Sequence, residues 1–445
     1  MRSLLHSIID NQIEKVSTKV PAPLIPFYMI ITGQTARSGY WAAIDQGFIS
    51  ISNFIAAVFL ARNVDPTQFG IYAVGFLLLH LIRAIQDGLI VQPMNAFGSI
   101  MPFPEFKEYV SSSGLLQGIL AINNAIIAAV GGIILTKLGN DTAGPTLFAL
   151  WLPFLGWQMQ EFIRRLFYVR RMVKHAMLNT FVTNAIRLGI LFYWGKIGLL
   201  SGKAGLIAIA WGASAGFIFG IIQTRKYWTL NFYPLRKTIR KNWGYGRWIL
   251  GSSTANWVAA EVYPLLAAGL ISFAAAGAYR ALQNLVAPIH VLLRAIDTFI
   301  TPRAAQIYQT NGRRGTWRLM RIVYLVAGIP IIGLLILTCL YPTTLLRLLY
   351  NETYVDYSNG MILMAIFYGL WFLYWPLQAI FKAIQITKPI FFANLVAIFS
   401  MFTIGIISIK QWGVYGAIGG QALNALIVSV ILWRIWFSNN HSTTS

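Results

Sequence analysis

The chain is 445 residues long, 57% hydrophobic and only 11% charged, against roughly a quarter charged in an ordinary soluble domain; this excludes a soluble globular enzyme. A helix needs about 20 apolar residues to cross a ~30 Å hydrocarbon core, so a dozen spans use up almost the whole chain and leave no separate catalytic domain. The 35 Lys plus Arg against 13 Asp plus Glu give +22, but they sit in short loops between apolar runs, where they act as cytoplasmic anchors beside anionic lipid and not as a nucleic-acid surface.

Residues 1–37 differ from the rest. Leu4, Leu5, Ile8, Ile9, Val16 and Val20 recur at helical spacing with Glu14, Lys15 and Lys19 between them, which predicts an amphipathic helix on the cytoplasmic membrane surface. The stretch Pro21 to Gly33 is too short and proline-rich to span, and no cleavable signal peptide is expected. From Gly39 onward twelve spans are predicted, near 39–61, 68–92, 111–136, 144–168, 175–195, 204–223, 247–270, 273–300, 319–340, 358–381, 387–409 and 413–437. Connections on one side then hold about 25 Lys and Arg, with only Arg62, Lys137, Lys196, Lys203, Arg347 and Lys410 on the other. That asymmetry puts both termini in the cytoplasm.

The two halves repeat. Gly70-Ile71-Tyr72 enters the second span as Gly277-Ala278-Tyr279 enters the eighth, and Arg83-Ala84-Ile85 matches Arg294-Ala295-Ile296, each followed by an aspartate and then Pro93 or Pro302. Two parallel six-helix bundles around a central cavity follow, at 38–223 and 247–437. A basic cytoplasmic linker, 224–246, joins them, and a short tail, 438–445, closes the chain.

Ionisable groups within spans are expensive and face a bundle interior or a wet cavity. Nine are predicted there: Asp45, Arg83, Asp87, Glu161, Arg187, Glu261, Arg280, Arg294 and Asp297. On a continuous eighth span, Arg280, Asn284 and Arg294 share one stripe, with the arginines about 21 Å apart. Arg83–Asp87 and Arg294–Asp297 have the spacing of self-neutralising pairs that only brace the helices, and Glu161 pairs most simply with Arg165. Arg280 and Arg187 have no acid three or four positions away, and an unpaired guanidinium suits phosphate. The candidate substrate-binding residues are therefore Arg280, Arg83, Arg294, Asn284 and Arg187. Glu261, with Pro264 loosening its helix, Asp45, Asp87 and Asp297 are candidates for a coupling ion or proton; for Glu261 a hydrogen bond to an arginine across the cavity is an equal alternative. No P-loop, zinc or nucleophile pattern is present, the single Cys339 allows no disulfide framework, and neither cofactor nor metal is expected.

Leu60-Ala61-Arg62-Asn63 with Phe69-Gly70-Ile71-Tyr72-Ala73, Ala276-Gly277-Ala278-Tyr279 and Leu348-Leu349-Tyr350-Asn351-Glu352-Thr353-Tyr354 resemble the polysaccharide and O-antigen flippases of the multidrug/oligosaccharidyl-lipid/polysaccharide exporter superfamily. The resemblance covers nearly everything after residue 38. It implies an alternating-access carrier of an isoprenoid-pyrophosphate-linked oligosaccharide in the bacterial inner membrane. It also implies a cationic cavity, with Arg280, Arg83 and Arg294 at the matching positions, and the company of a polysaccharide polymerase and glycosyltransferases. Two alternatives remain at this stage. One is a cation-coupled multidrug exporter using Asp45 and Glu261; the other is a membrane polymerase, for which the outer 341–357 connection offers only Arg347, Glu352 and Asp356.

Overall fold

The computed structural model describes residues 34–230, 235–384, 386 and 388–438; the side chains of 34–39, 252, 256, 259, 260, 294–299, 301 and 302 lie outside that description. The amphipathic segment expected before residue 38 and the tail after 438 fall almost wholly outside it. Among the described residues every regular element is helical: α1 (Gln34–Asn63), α2 (Pro66–Gln86, continued by π-turns to Gly98), α3 (Phe103–Lys137), α4 (Ala143–Ala149), α5 (Trp151–Val169), α6 (Val173–Lys196), α7 (Gly202–Thr224), α8 (Leu235–Leu270), α9 (Phe273–Leu285), α10 (Pro288–Leu340), α11 (Pro342–Tyr350), α12 (Gly360–Ala383), α13 (Lys388–Ser400, continued by a π-turn to Gly405) and α14 (Ile406–Ser438). This is a polytopic membrane protein of two six-helix bundles, α1–α7 and α8–α14.

Three of the predicted spans are broken or extended, each for a local reason. The fourth parts at Leu150 into α4 and α5, because Pro153 cannot donate to the Ala149 carbonyl. The eighth parts at Val286 and Ala287, where Pro288 removes the bond to Asn284 and the chain tightens into Val286 N–H to Gln283 O (3.3 Å) and Ala287 N–H to Asn284 O (3.2 Å). The single stripe from Arg280 to Arg294 therefore does not run along one unbroken helix. The connection expected after the eighth span is itself helical: α10 turns only at Gly312 (φ 56°), as α14 turns at Gly413 (φ 58°), a left-handed conformation that glycine adopts without steric cost. Among the described residues, seven helical stretches are long and apolar enough to cross a membrane by length and composition alone, one of them holding the last two predicted spans. The fourth, fifth, seventh and eighth spans fall outside that set. They are the ones that carry Glu161 with Arg164, Arg187, Glu261 and Arg280.

The repeat acquires a physical meaning where the bundles meet. Asp65 caps α2, accepting from the Thr67 and Gln68 amides at 2.9 and 3.1 Å. Ser272 caps α9, accepting from the Ala275 amide at 3.2 Å. The glycines that follow let the two backbones touch: a Cβ on Gly70 would lie 1.7 Å from the Phe273 carbonyl oxygen, and one on Gly277 would lie 2.7 Å from that of Pro66. Arg62 closes the same end by donating to the Leu348 carbonyl across the bundles at 2.6 Å. Phe69 packs on Tyr354, centroids 6.0 Å apart. One continuous apolar core crosses between the bundles here.

We call this the hairpin face and the opposite one, bearing residues 225–230, the linker face. At the linker face α8 packs along α2, with Gly246 against the Gly88 carbonyl and Gly88 against Leu250, while Tyr109 donates to Asn242 at 2.9 Å. Below Leu285, however, α10 runs against α12 instead of following α2. The bundles are thus joined at the hairpin face through α2 and α9 and at the linker face through α2 and α8, while α10 leaves α2 for α12.

Gly70→Ala is expected to force this contact open and cost roughly 1–3 kcal/mol, as overpacking does. In detergent its unfolding midpoint should fall by several degrees, while Gly369→Ala, whose Cβ meets nothing within 4 Å, should leave it unchanged.

Candidate functional site

Arg280 projects from α9 one turn past the Gly70–Gly277 contact. Its guanidinium carbon lies 5.8 Å from the centre of the Phe76 ring on α2, so the group occupies the boundary between the bundles. Nη1 donates to Gln283 Oε1 at 2.6 Å. Among the described residues no carboxylate lies within ion-pair distance of it. Its charge is held half-buried on neutral groups. From Phe76 an aromatic line descends α2 to His80 (4.7 Å) and on to Trp157 (6.5 Å).

Arg83 is placed differently. Its pair with Asp87 is long, 3.9 Å, and Nη2 leans instead toward Glu161 of α5 at 3.5 Å; the side chain stays 29% exposed. Glu161 is the hub of a buried network: Arg164 Nε and Nη2 donate to it at 2.7 and 2.8 Å, and Arg165 Nε at 2.8 Å. The Glu161–Arg165 contact expected from spacing is one strand of this. Arg164 also reaches α1, donating to Asp45 Oδ2 at 2.8 Å, and Tyr168 donates to the same oxygen. Asp45, fully buried, thus lies on an arginine and a phenol and not in an open recess. The cluster balances, three arginines (83, 164, 165) against three carboxylates (45, 87, 161), as buried charge must.

Arg187 is also engaged, with Nη1 donating to Asn53 Oδ1 and Nη2 to Tyr72 Oη, both at 2.6 Å. Asn284 is buried beside Tyr350, whose hydroxyl is pushed up to about 12 by burial. Arg294 and Asp297 lie on α10 with side chains outside the described residues. At the hairpin face two of the three charges of the 341–357 connection, Arg347 and Glu352, neutralise one another. Arg347 donates to Glu352 at 2.5 Å and holds its carboxyl below the usual range, while Asp356 uses its backbone carbonyl to accept from Tyr415.

Sequence reasoning did not single out Arg164, although Glu161 three residues before it was a signal. It also missed a polar chamber of about 190 Å³ inside the C-terminal bundle, between α8, α9, α10, α12, α13 and α14. Glu261 lines it, beside Gln283, His290, Gln378, Asn394, Gln421 and Asn424, with Phe367, Trp371 and Trp375 as aromatic walls. A larger recess of about 920 Å³, between α3, α4, α5, α6 and α7 near the hairpin face, is almost wholly apolar apart from Lys137 and Lys203 and lies away from Arg280. Its walls suit hydrocarbon and offer a phosphate little.

The family model described as "Polysaccharide biosynthesis protein" matches residues 35–308. Among solved structures, the chain superimposes on the inward-facing conformation of a multidrug-resistance MATE transporter of the MOP superfamily, with TM-score 0.72, 14% identity, and 91% of this chain and 100% of that one covered. It superimposes on the lipid II flippase MurJ in an inward closed conformation with TM-score 0.62, 16% identity, and coverage of 90% and 87%. A MOP-superfamily transporter from Pyrococcus furiosus, described as having a binding pocket of reverse polarity, matches with TM-score 0.60, 13% identity, and coverage of 92% and 97%. At these identities the likeness concerns the fold. No curated protein is a close match in sequence.

The balanced network yields a stability prediction. Arg164→Met leaves the buried Asp45 charge with only the Tyr168 hydroxyl, while Glu161 keeps Arg165 and Arg83, and should cost about 3–5 kcal/mol. Adding Asp45→Asn should recover part of that loss. Unfolding midpoints of the purified single and double variants check this; a single variant as stable as the native chain would show the pairs to be dispensable.

Proposed function

The chain belongs to the polysaccharide biosynthesis protein family, and on that premise we propose that it is a flippase. In this reading it carries an isoprenoid-pyrophosphate-linked oligosaccharide from the cytoplasmic to the outer leaflet of a bacterial cytoplasmic membrane by alternating access. The observation that carries the proposal is Arg280: a half-buried guanidinium at the bundle boundary, next to the Gly70–Gly277 contact, with no carboxylate within ion-pair distance among the described residues. A planar fork of donors so placed suits phosphate oxygens. Arg83, still part exposed one aromatic line away, would add a second cation, and Arg294, on the α10 side of the cleft, is assigned a third contact. Arg187, spent on Asn53 and Tyr72, is assigned a bracing part.

The distribution of Lys and Arg makes the linker face cytoplasmic, so this conformer would load from the cytoplasm and be shut outside. A pyrophosphate diester carries about two negative charges, and each gains about 2.3 kcal/mol per 100 mV on leaving an inside-negative cell. Export therefore runs down the electrical gradient. A few spaced arginines hold the head group without trapping it. Glu261 is kept as the candidate coupling group, with Asp297 and Asp87 less central; Asp45 is held by Arg164 and Tyr168. The drug-exporter alternative draws on the MATE-like fold and on Glu261, but Arg280 would repel a cationic drug.

Arg280→Ala should lower surface polysaccharide about 10- to 100-fold, the equivalent of one or two charge-assisted hydrogen bonds, with the protein retained in the membrane; Arg280→Lys should restore part. Native output from a well-expressed Arg280→Ala variant would overturn the proposal. A Glu261-dependent rise in tolerance to cationic drugs would favour the exporter instead.

A further inference from the structure

The two halves of the repeat dispose their buried carboxamides differently. In the N-terminal bundle three of them share bonds on α5: Gln86 Nε2 donates to the Gln158 carbonyl at 2.9 Å, Asn124 Nδ2 to Gln158 Oε1 at 3.2 Å, and Gln158 Nε2 to the Phe154 carbonyl at 2.8 Å. In the C-terminal bundle, Gln378, Gln421 and Asn424, all over nine-tenths buried, surround an open chamber with Asn394. Asn424, 4% exposed, has neither its Oδ1 nor its Nδ2 paired. Leaving both unmet has a free-energy cost comparable to lost hydrogen bonds, which a ligand in the chamber would offset.

The chemistry of the walls narrows the ligand. Carboxamides present N–H donors and C=O acceptors side by side, the complement of a hydroxyl that both donates and accepts. Glu261 in the same wall would favour a cation, but the carboxamide N–H groups around it call for acceptors as well, which a bare cation lacks and a hydroxyl supplies. Trp371 stacks on Phe367 (centroids 5.7 Å, 15°) and stands edge-on to Trp375 (5.3 Å, 84°), whose Nε1 is fixed on the Leu293 carbonyl at 2.9 Å. The aromatic surfaces are thus held in place to receive the C–H face of a ring. The volume, about 190 Å³, suits one saccharide unit. Gln283 makes the connection: it accepts from Arg280 and lines the chamber. The group next to the phosphate at Arg280 therefore enters here.

We propose that this chamber is a sugar subsite, taking the saccharide unit bonded to the pyrophosphate, so that Asn424, Gln378 and Trp371 set which lipid-linked oligosaccharide is accepted. This rests on the flippase reading.

The test uses full-length protein in detergent, its tryptophan fluorescence titrated with free glucose, galactose and N-acetylglucosamine, and with mannitol as an acyclic control. At least one ring sugar should give a saturable change in the millimolar range, affinity expected of a few hydrogen bonds, and mannitol none. Trp371→Phe should remove most of the signal. Asn424→Ala and Gln378→Ala should each weaken binding about tenfold or more at unchanged unfolding midpoints, with either variant sufficient if the other does not fold. Arg280→Ala should leave free-sugar binding intact. The proposal is overturned by no saturable response below ~0.1 M, by responses that survive both amide substitutions, or by a response to sodium chloride alone that Asn424→Ala removes. Loss of surface polysaccharide in Arg280→Ala alongside any of these would leave the flippase reading standing and remove only the sugar subsite.

Discussion

The contact between Gly70 and Gly277 is the constraint on which the rest of the molecule depends. Two helices related by the repeat can bring their backbones into van der Waals contact this closely only where neither carries a Cβ. With α2 and α9 locked at the hairpin face, the break at Ala287 and Pro288 frees α10 to leave α2 and follow α12. Arg280 falls one turn below the lock, against the Phe76 ring of α2, at the seam where one bundle meets the other.

Much of this was legible in the sequence. Composition gave the spans their number because a bilayer demands about 20 apolar residues for each, and the Gly-x-Tyr pair announced the repeat. The pairing of charges was only half legible. Spacing along one helix shows partners three and four residues away, so it linked Glu161 with Arg165 but could not see Asp45 on α1 reaching Arg164, nor Asn53 and Tyr72 satisfying Arg187. Arginines without a local acid looked alike; tertiary packing separated Arg187, which is spent, from Arg280, which is not. The carboxamides of the C-terminal bundle were overlooked because Gln and Asn on apolar spans carry no charge to mark them, and only the fold gathers α12, α13 and α14 around one space.

The division of polar groups between the bundles then explains how one repeat can serve two purposes. The N-terminal bundle gathers its charges: three arginines meet three carboxylates, and Gln86 and Asn124 both donate to Gln158 on α5, so it behaves as a braced body. In the C-terminal bundle Arg280 is held on Gln283, which also lines the chamber where Asn424 has no partner. Buried polar groups without partners are destabilising. The asymmetry also bears on release. An arginine backed by amides and aromatic rings binds a phosphate less tightly than a cluster of cations would. In the proposed cycle, separation of α2 and α9 would withdraw the Phe76 ring and the low-dielectric wall that strengthen its field together, and water would weaken the proposed interaction severalfold. Opening the seal and loosening the anion would then be one motion of the same two helices.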